Sequence, residues 1–158
     1  MARILNLGYP GGPIIDRLAR RGINREIRFP CAQLPGTDDF SFSGIKTAVL
    51  YFIRKQKNKN NLPVDKIAYA FQDSVVSVLA EKCIAVCKRK HVRTLLVGGG
   101  VAANSALRQR LFQRAGEERI DVFFPAMSLC LDNAAMIAGL GYHLTKNRQN
   151  EFGIRRPF

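Results

Sequence analysis

No run of apolar residues in this sequence approaches the about twenty needed to cross a bilayer as a helix. The opening stretch MARILNLGYPGG also lacks the apolar core and cleavage site of a secretory signal. A soluble, cytoplasmic protein with no membrane partner is the expectation. Cysteine is sparse, and Cys31, Cys83, Cys87 and Cys130 are scattered and mostly flanked by apolar residues. That argues against a disulfide framework and suits buried thiols in a reducing compartment. Cys83 and Cys87 can share a helical face, but with only His91 nearby they make a poor zinc site. Acidic residues are few: 12 Asp and Glu stand against 25 Lys and Arg, a net charge of +13. Such a balance attracts phosphate-rich partners, nucleic acid first among them. A solvated basic surface, or one facing an acidic protein, explains the charge equally well. No internal repeat and no convincing linker divides the chain, so residues 1–158, 47% apolar, are expected to form a single domain with a real core.

What is present is mostly helical grammar. Gly11-Gly12-Pro13 followed by IIDRLARR and Gly22 predicts a short helix from about Pro13 to Arg21. From Ile27 through Phe42 apolar and polar residues alternate around Pro30, Pro35 and Gly36, the pattern of short strands and turns. A helix beginning near Ser43 to Ile45 would carry Ile45, Ala48, Val49, Phe52 and Ile53 on one stripe, ending in the polar surface run KQKNKNN at 55–61. The longest pattern runs from Pro63 to about Lys90, with Ala68, Phe71, Val75, Leu79, Cys83 and Val86 at three- and four-residue steps. Thr94 to Val97 reads as a strand, Gly98-Gly99-Gly100 as a tight turn and Ala103 to Ala115 as a helix. Val122 to Phe124 reads as a second strand and Asp132 to about Leu144 as a final helix. The tail NRQNEFGIRRPF looks irregular.

Four stretches could carry chemistry. In LLVGGGVAANSALRQRL a glycine turn lies between a strand and a helix, where backbone N–H groups and the helix dipole converge on an anion. Asn104 there can reach a ligand or cap the helix. The stretch is neither G-x-G-x-x-G nor a P-loop, so a purely structural turn stands beside the ligand cradle. GYPGGPIID repeats the logic, with Asp16 in an opening turn. There it either accepts two ribose hydroxyls or simply answers the helix dipole. Asp132 is an N-cap or a lone metal ligand, and neither His91 nor His143 has ligand spacing with it. FSFSGIKTAV gathers Ser41, Ser43 and Lys46 around Gly44, either a phosphate contact or a junction with a capping serine. No H-E-x-x-H motif and no serine or cysteine nucleophile arrangement is present.

In this order, LGYPGGPIID at 7–16, DFSFSGIKTAV at 39–49, AFQDSVV in the long helix, VGGGVAANSALRQRL at 97–111 and CLDNAAMIA at 130–138 resemble the TsaD family. These are the tRNA N6-adenosine threonylcarbamoyltransferases, once called O-sialoglycoprotein endopeptidases. The resemblance implies an α/β fold, the second lobe of an actin-, sugar-kinase- and heat-shock-chaperone-like ATPase, with a short mixed sheet flanked by helices. It implies that the amino-terminal lobe and its H-x-x-x-H metal motif are absent and that Met1 is a truncation point. By the same resemblance Gly12 and Asp16 hold the adenosine part of an adenine nucleotide, with Asn104 joining across the cleft. The glycine turn at Gly99 and Gly100 meets the phosphate. Asp132 is one ligand of a divalent metal, iron or zinc, whose site this chain leaves incomplete. The implied reaction carries threonylcarbamoyl from threonylcarbamoyl-AMP to N6 of the adenosine 3′ of the anticodon in tRNAs reading A-starting codons. No covalent nucleophile takes part, and accessory proteins of the pathway attend. Leu131 stands where the family usually has Thr, which deletes a hydroxyl beside the metal ligand. A non-catalytic nucleotide-binding or assembly subunit is the competing expectation. Everything turns on the glycine bends near Gly12 and Gly100 facing one pocket with Asp132 at its mouth.

Overall fold

The computed structural model describes residues 1–23, 26–31, 36–56, 58 and 61–147. Its spine is α3, Val64–Arg89. Before it come α1, Gly11–Ala19, and α2, Ser43–Lys55. After it come β1, Thr94–Leu96, a 3-10 turn at Gly100–Ala103, α4, Ser105–Glu117, and β2, Asp121–Phe123. A second 3-10 turn, Met127–Leu129, leads to α5, Ala134–Asn147.

The long apolar pattern of α3 serves two neighbours. Its first half buries Ile67, Ala68 and Ala70 in a core with Ile15 and Ala19 of α1 and Ile45 and Val49 of α2. Further along, Val76 and Ala80 meet Leu107 and Leu111 of α4 and the inner side chains Leu95 and Val122 of the strands. Near its end Ile84 and Cys87 pack with Ala115 and Ile120. Because both flanks are covered, the helix shows little one-sidedness along its length.

The strands pair parallel, Thr94 with Asp121, Leu95 with Val122 and Leu96 with Phe123, and α4 supplies the crossover that parallel neighbours require. Only one face of this sheet is covered: Leu95 and Val122 point inward, while Leu96 is 76% and Phe123 57% exposed. Both helices that lead into strands end on a left-handed residue. His91 has φ 54° and Arg119 has φ 55°, with Val92 N–H reaching Cys87 O at 3.0 Å and Ile120 N–H reaching Ala115 O at 2.9 Å. These six-to-one bonds satisfy end carbonyls that would otherwise be orphaned. His91 is therefore a helix terminator, and among the described residues no group of three His, Cys, Asp or Glu side chains could hold a metal.

Arg114 of α4 forks onto both oxygens of Glu81 on α3 at 2.8 and 3.0 Å. That hydrogen-bonded guanidinium holds the Glu81 carboxyl below its ordinary range. Stability from this tie is present above the unfolded carboxylate range and is lost as pH falls through the depressed value.

Several boundaries differ from the expectation. α1 begins two residues earlier, at Gly11, so Asp16 lies in its second turn and no acidic residue occupies the first. A dipole-favoured acid in the opening turn is thereby excluded. Between Ile27 and Phe42 the described residues form no strand beyond a single bridge position at Phe40. α2 carries no side-chain cap; Ser43 is its first residue, with its hydroxyl 3.5 Å from that of Ser41. Asp132 does not cap α5: the Asn133 side chain accepts from Met136 N–H at 2.9 Å. Residues 32–35, part of the lysine and asparagine run, and the tail from 148 lie outside the described residues.

Leu111, almost wholly buried where α4 meets α3 and the sheet, tests this packing. Leu111→Ala is expected to cost about 2–5 kcal/mol, read as a lower urea midpoint at unchanged slope. A loss under about 1 kcal/mol would contradict the arrangement.

Candidate functional site

The middle of α1 meets the amino end of α4, through Asp16 on the one and Asn104 and Ser105 on the other. Asn104 is the residue just before α4, not a member of its first turn, and its Oδ1 accepts from Leu107 N–H at 2.9 Å. This is an N-cap, the role that Asn fills well. Its Nδ2 donates to Gln72 Oε1 at 2.8 Å and faces Asp16 Oδ1 at 3.4 Å. The first residue of α4, Ser105, donates its hydroxyl to Asp16 Oδ1 at 2.8 Å, with Oδ2 at 3.1 Å. Arg20 completes the set, bonding Asp16 Oδ2 at 2.8 Å. Residues almost ninety positions apart thus share one carboxylate. Arg20 is largely exposed and the pair is spaced i,i+4, worth only about 0.3–0.5 kcal/mol. An incoming donor would displace it at little cost.

The glycines leave room beside this cluster. A methyl built on Gly12, Gly98 or Gly99 meets nothing within 4 Å. Gly99 combines φ 85° with ψ 174°, a region open essentially to glycine alone. Its carbonyl accepts from Ala102 N–H at 3.0 Å, closing the 3-10 turn. Gly100 is closer packed, since a methyl there would lie 3.3 Å from Leu131 Cδ2.

That contact brings the segment before Asp132 against the glycine turn, and Arg108 reinforces it. Its Nε donates to Ala102 O at 2.6 Å, one terminal nitrogen reaches Pro125 O at 2.8 Å, and its guanidinium lies 4.7 Å from the Phe124 ring centroid. Asp132 itself is exposed. A lone exposed carboxylate supplies one hard oxygen, which suits a divalent cation but does not retain one. The described residues therefore do not fit a complete metal site, and no chemistry is drawn through a metal.

Three contributors went unrecognised in the sequence: Gln72, Ser105 and Arg108. Ser105 and Arg108 lie in the glycine-turn stretch and Gln72 in AFQDSVV, but the partners of Ser105 and Gln72 are distant in the chain, and Arg108 ties Ala102 of its own stretch to Pro125 beyond it. FSFSGIKTAV does not join the cluster. Its flank is held on α3 by Lys82, whose ammonium bonds Asp39 O and lies 5.5 Å from the Phe40 ring centroid, and by the Arg89–Asp38 ion pair.

The fold is a mixed α/β assembly in which α1, the start of α4 and the 3-10 turn that precedes it contribute to one polar cluster. The sequence model of the tRNA N6-adenosine threonylcarbamoyltransferase family, TsaD, matches residues 1–139. Proteins of that name from Thermotoga neapolitana and Thermosipho africanus are 45% and 46% identical over 147 residues, covering 92% of this chain and 44% of each relative. One from Fusobacterium nucleatum is 43% identical over 152 residues, covering 96% of this chain and 44% of the relative. The chain belongs to the TsaD family. Its short parallel sheet flanked by helices is consistent with that family's actin-like ATPase fold. The chain spans less than half the length of the relatives it matches. No described helix is long and apolar enough to cross a membrane.

Proposed function

We propose that this chain is the nucleotide-holding part of a tRNA N6-adenosine threonylcarbamoyltransferase. The reading rests on one observation: Asp16 of α1 meets Asn104 and Ser105 where α4 begins, a few residues after a glycine turn whose Gly98 and Gly99 have open space around them. Asp16 accepts the two ribose hydroxyls of threonylcarbamoyl-AMP in place of Arg20, and Asn104 offers its amide to the adenosine. Backbone N–H groups of the turn at Gly99 and Gly100 hold the phosphate, which leaves with AMP. In the transfer, the adenosine N6 amine forms a bond to the carbamoyl carbon and loses a proton, while the bond from that carbon to the phosphate oxygen breaks. The net charge of +13 suits the tRNA backbone as the other substrate. Asp132 contributes one oxygen to a divalent metal site, iron or zinc, that residues 1–158 leave incomplete. The setting is the cytoplasm, with accessory proteins of the modification pathway.

Calorimetric titration with AMP tests the pocket. Asp16→Ala and Asn104→Ala should each weaken binding by roughly tenfold or more, the effect of losing hydrogen bonds to a charged or polar partner. Unchanged affinity in both would remove them from the site. In the intact polypeptide Asp132→Ala should instead lower metal content and leave AMP affinity alone. A non-catalytic binding module would share the pocket. Turnover of threonylcarbamoyl-AMP and tRNA by the intact polypeptide separates the two, and turnover by residues 1–158 alone would contradict the two-part account.

A further inference from the structure

Gln72 is the one polar side chain buried among the described residues, 8% exposed on the inner face of α3 between Ala68 and Val76. Burying an amide is unfavourable unless it is hydrogen-bonded, and an apolar residue of the same size would serve packing as well or better. Stability does not explain a glutamine here. Its partner does: Oε1 accepts from Asn104 Nδ2 at 2.8 Å.

We propose that Gln72 is a positioning residue that fixes the Asn104 amide for the nucleotide, an inference that rests on the nucleotide reading of Asp16 and Asn104. Two bonds hold that amide. Leu107 N–H requires an acceptor, which sets Oδ1 toward α4 and turns Nδ2 the other way. Capping alone leaves the amide free to swing about that bond. Gln72 removes the swing by anchoring Nδ2 from the core side, and the second Nδ2 proton is thereby directed at the Asp16 carboxylate across 3.4 Å. That gap is longer than a good amide–carboxylate bond, so the amide is aimed but not consumed. A ligand hydroxyl entering there finds a donor and an acceptor already set. Pre-orientation of this kind raises affinity by reducing what must be ordered on binding.

Gln72→Met keeps the length and removes the acceptor. AMP affinity should fall about 5- to 10-fold, on the order of one ordinary hydrogen bond, while the thermal midpoint drops modestly because the part-buried Asn104 Nδ2 loses its acceptor. Asn104→Ala should abolish the effect: in that background Gln72→Met changes AMP affinity less than twofold, because the interaction it served is gone. The 15N-resolved Asn104 side-chain amide gives an independent reading, losing its slowed hydrogen exchange in Gln72→Met. If Asp16→Ala and Asn104→Ala leave AMP binding intact, the nucleotide reading fails. If they weaken it while Gln72→Met does not, or does so equally with and without Asn104, the positioning role fails alone.

Discussion

Gly22→Ala should cost the folded protein at least about 3 kcal/mol, at or beyond the upper end of ordinary overpacking. α1 ends at Ala19, and the chain then passes directly over the first turn of α3. A methyl on Gly22 would stand 2.1 Å from Asp65 O, 2.3 Å from Asp65 C and 2.8 Å from Lys66 N. All three are backbone atoms inside a helical turn, so no side-chain rotation relieves the clash. The two helices must separate, and α1 carries Asp16 with it. Stability and the Asp16–Ser105 contact are therefore expected to fail together, the first as a lower urea midpoint and the second as lost AMP binding. Gly12→Ala is the matched control. It lies in the opening turn of the same helix, in open space, and there Ala is a better helix former than Gly. It should leave stability level or slightly higher and affect only ligand approach. A Gly22→Ala protein within about 1 kcal/mol of the parent would mean that α1 does not lie on α3 as described.

The contrast between those glycines shows what the sequence could and could not carry. Both sat in one motif with helix-boundary grammar, but only the packed structure separates a glycine forced by a neighbouring backbone from one facing solvent. Long periodic patterns were legible: the stripe through Ala68, Val75 and Cys83 placed α3 to within a residue at each end. Strands near Thr94 and Val122 were legible because short apolar runs followed helix ends. Local competition blurred the starts of helices. The 3-10 turn at Gly100–Ala103 takes up Ala103, where the sequence pattern begins the helix, which moves Asn104 from the first turn to the cap. At 132–133 two good capping residues are adjacent, and Asn133 takes the role. Gln72 and Ser105 were not legible at all, since each answers a partner on another helix, and no periodicity encodes which buried residue is polar for a neighbour's sake. The outer face of the sheet is a similar case. Leu96 and Phe123 look like core residues in the sequence, and only the pairing register puts them on the uncovered side.

Asn104→Asp should separate the cap from the site more sharply than Asn104→Ala. Aspartate caps as well as asparagine, so Leu107 N–H keeps its acceptor and α4 keeps its start. The other side of the residue changes sign. Where Nδ2 now donates to Gln72 Oε1 and faces Asp16, an oxygen would oppose both an amide oxygen at 2.8 Å and a carboxylate at 3.4 Å. Two unit charges 4 Å apart interact by about 4 kcal/mol at an effective dielectric of 20. Arg20 offsets only a fraction from its exposed position. A net loss of about 2–3 kcal/mol at pH 7 is expected, against about 1 kcal/mol for the missing cap in Asn104→Ala. The pH dependence distinguishes them further. A carboxyl at 104 is driven above its unfolded range by the facing carboxylate, so the native state binds the extra proton. Stability relative to the parent then declines as pH rises from the unfolded carboxyl range through the raised native one, and recovers on acidification. Asn104→Ala adds no titrating group and should track the parent at a constant offset. Urea midpoints measured between pH 4 and pH 8 read both. An Asp variant as stable as the parent across that range would show that Asn104 and Asp16 do not face one another, and the proposed nucleotide site would go with them.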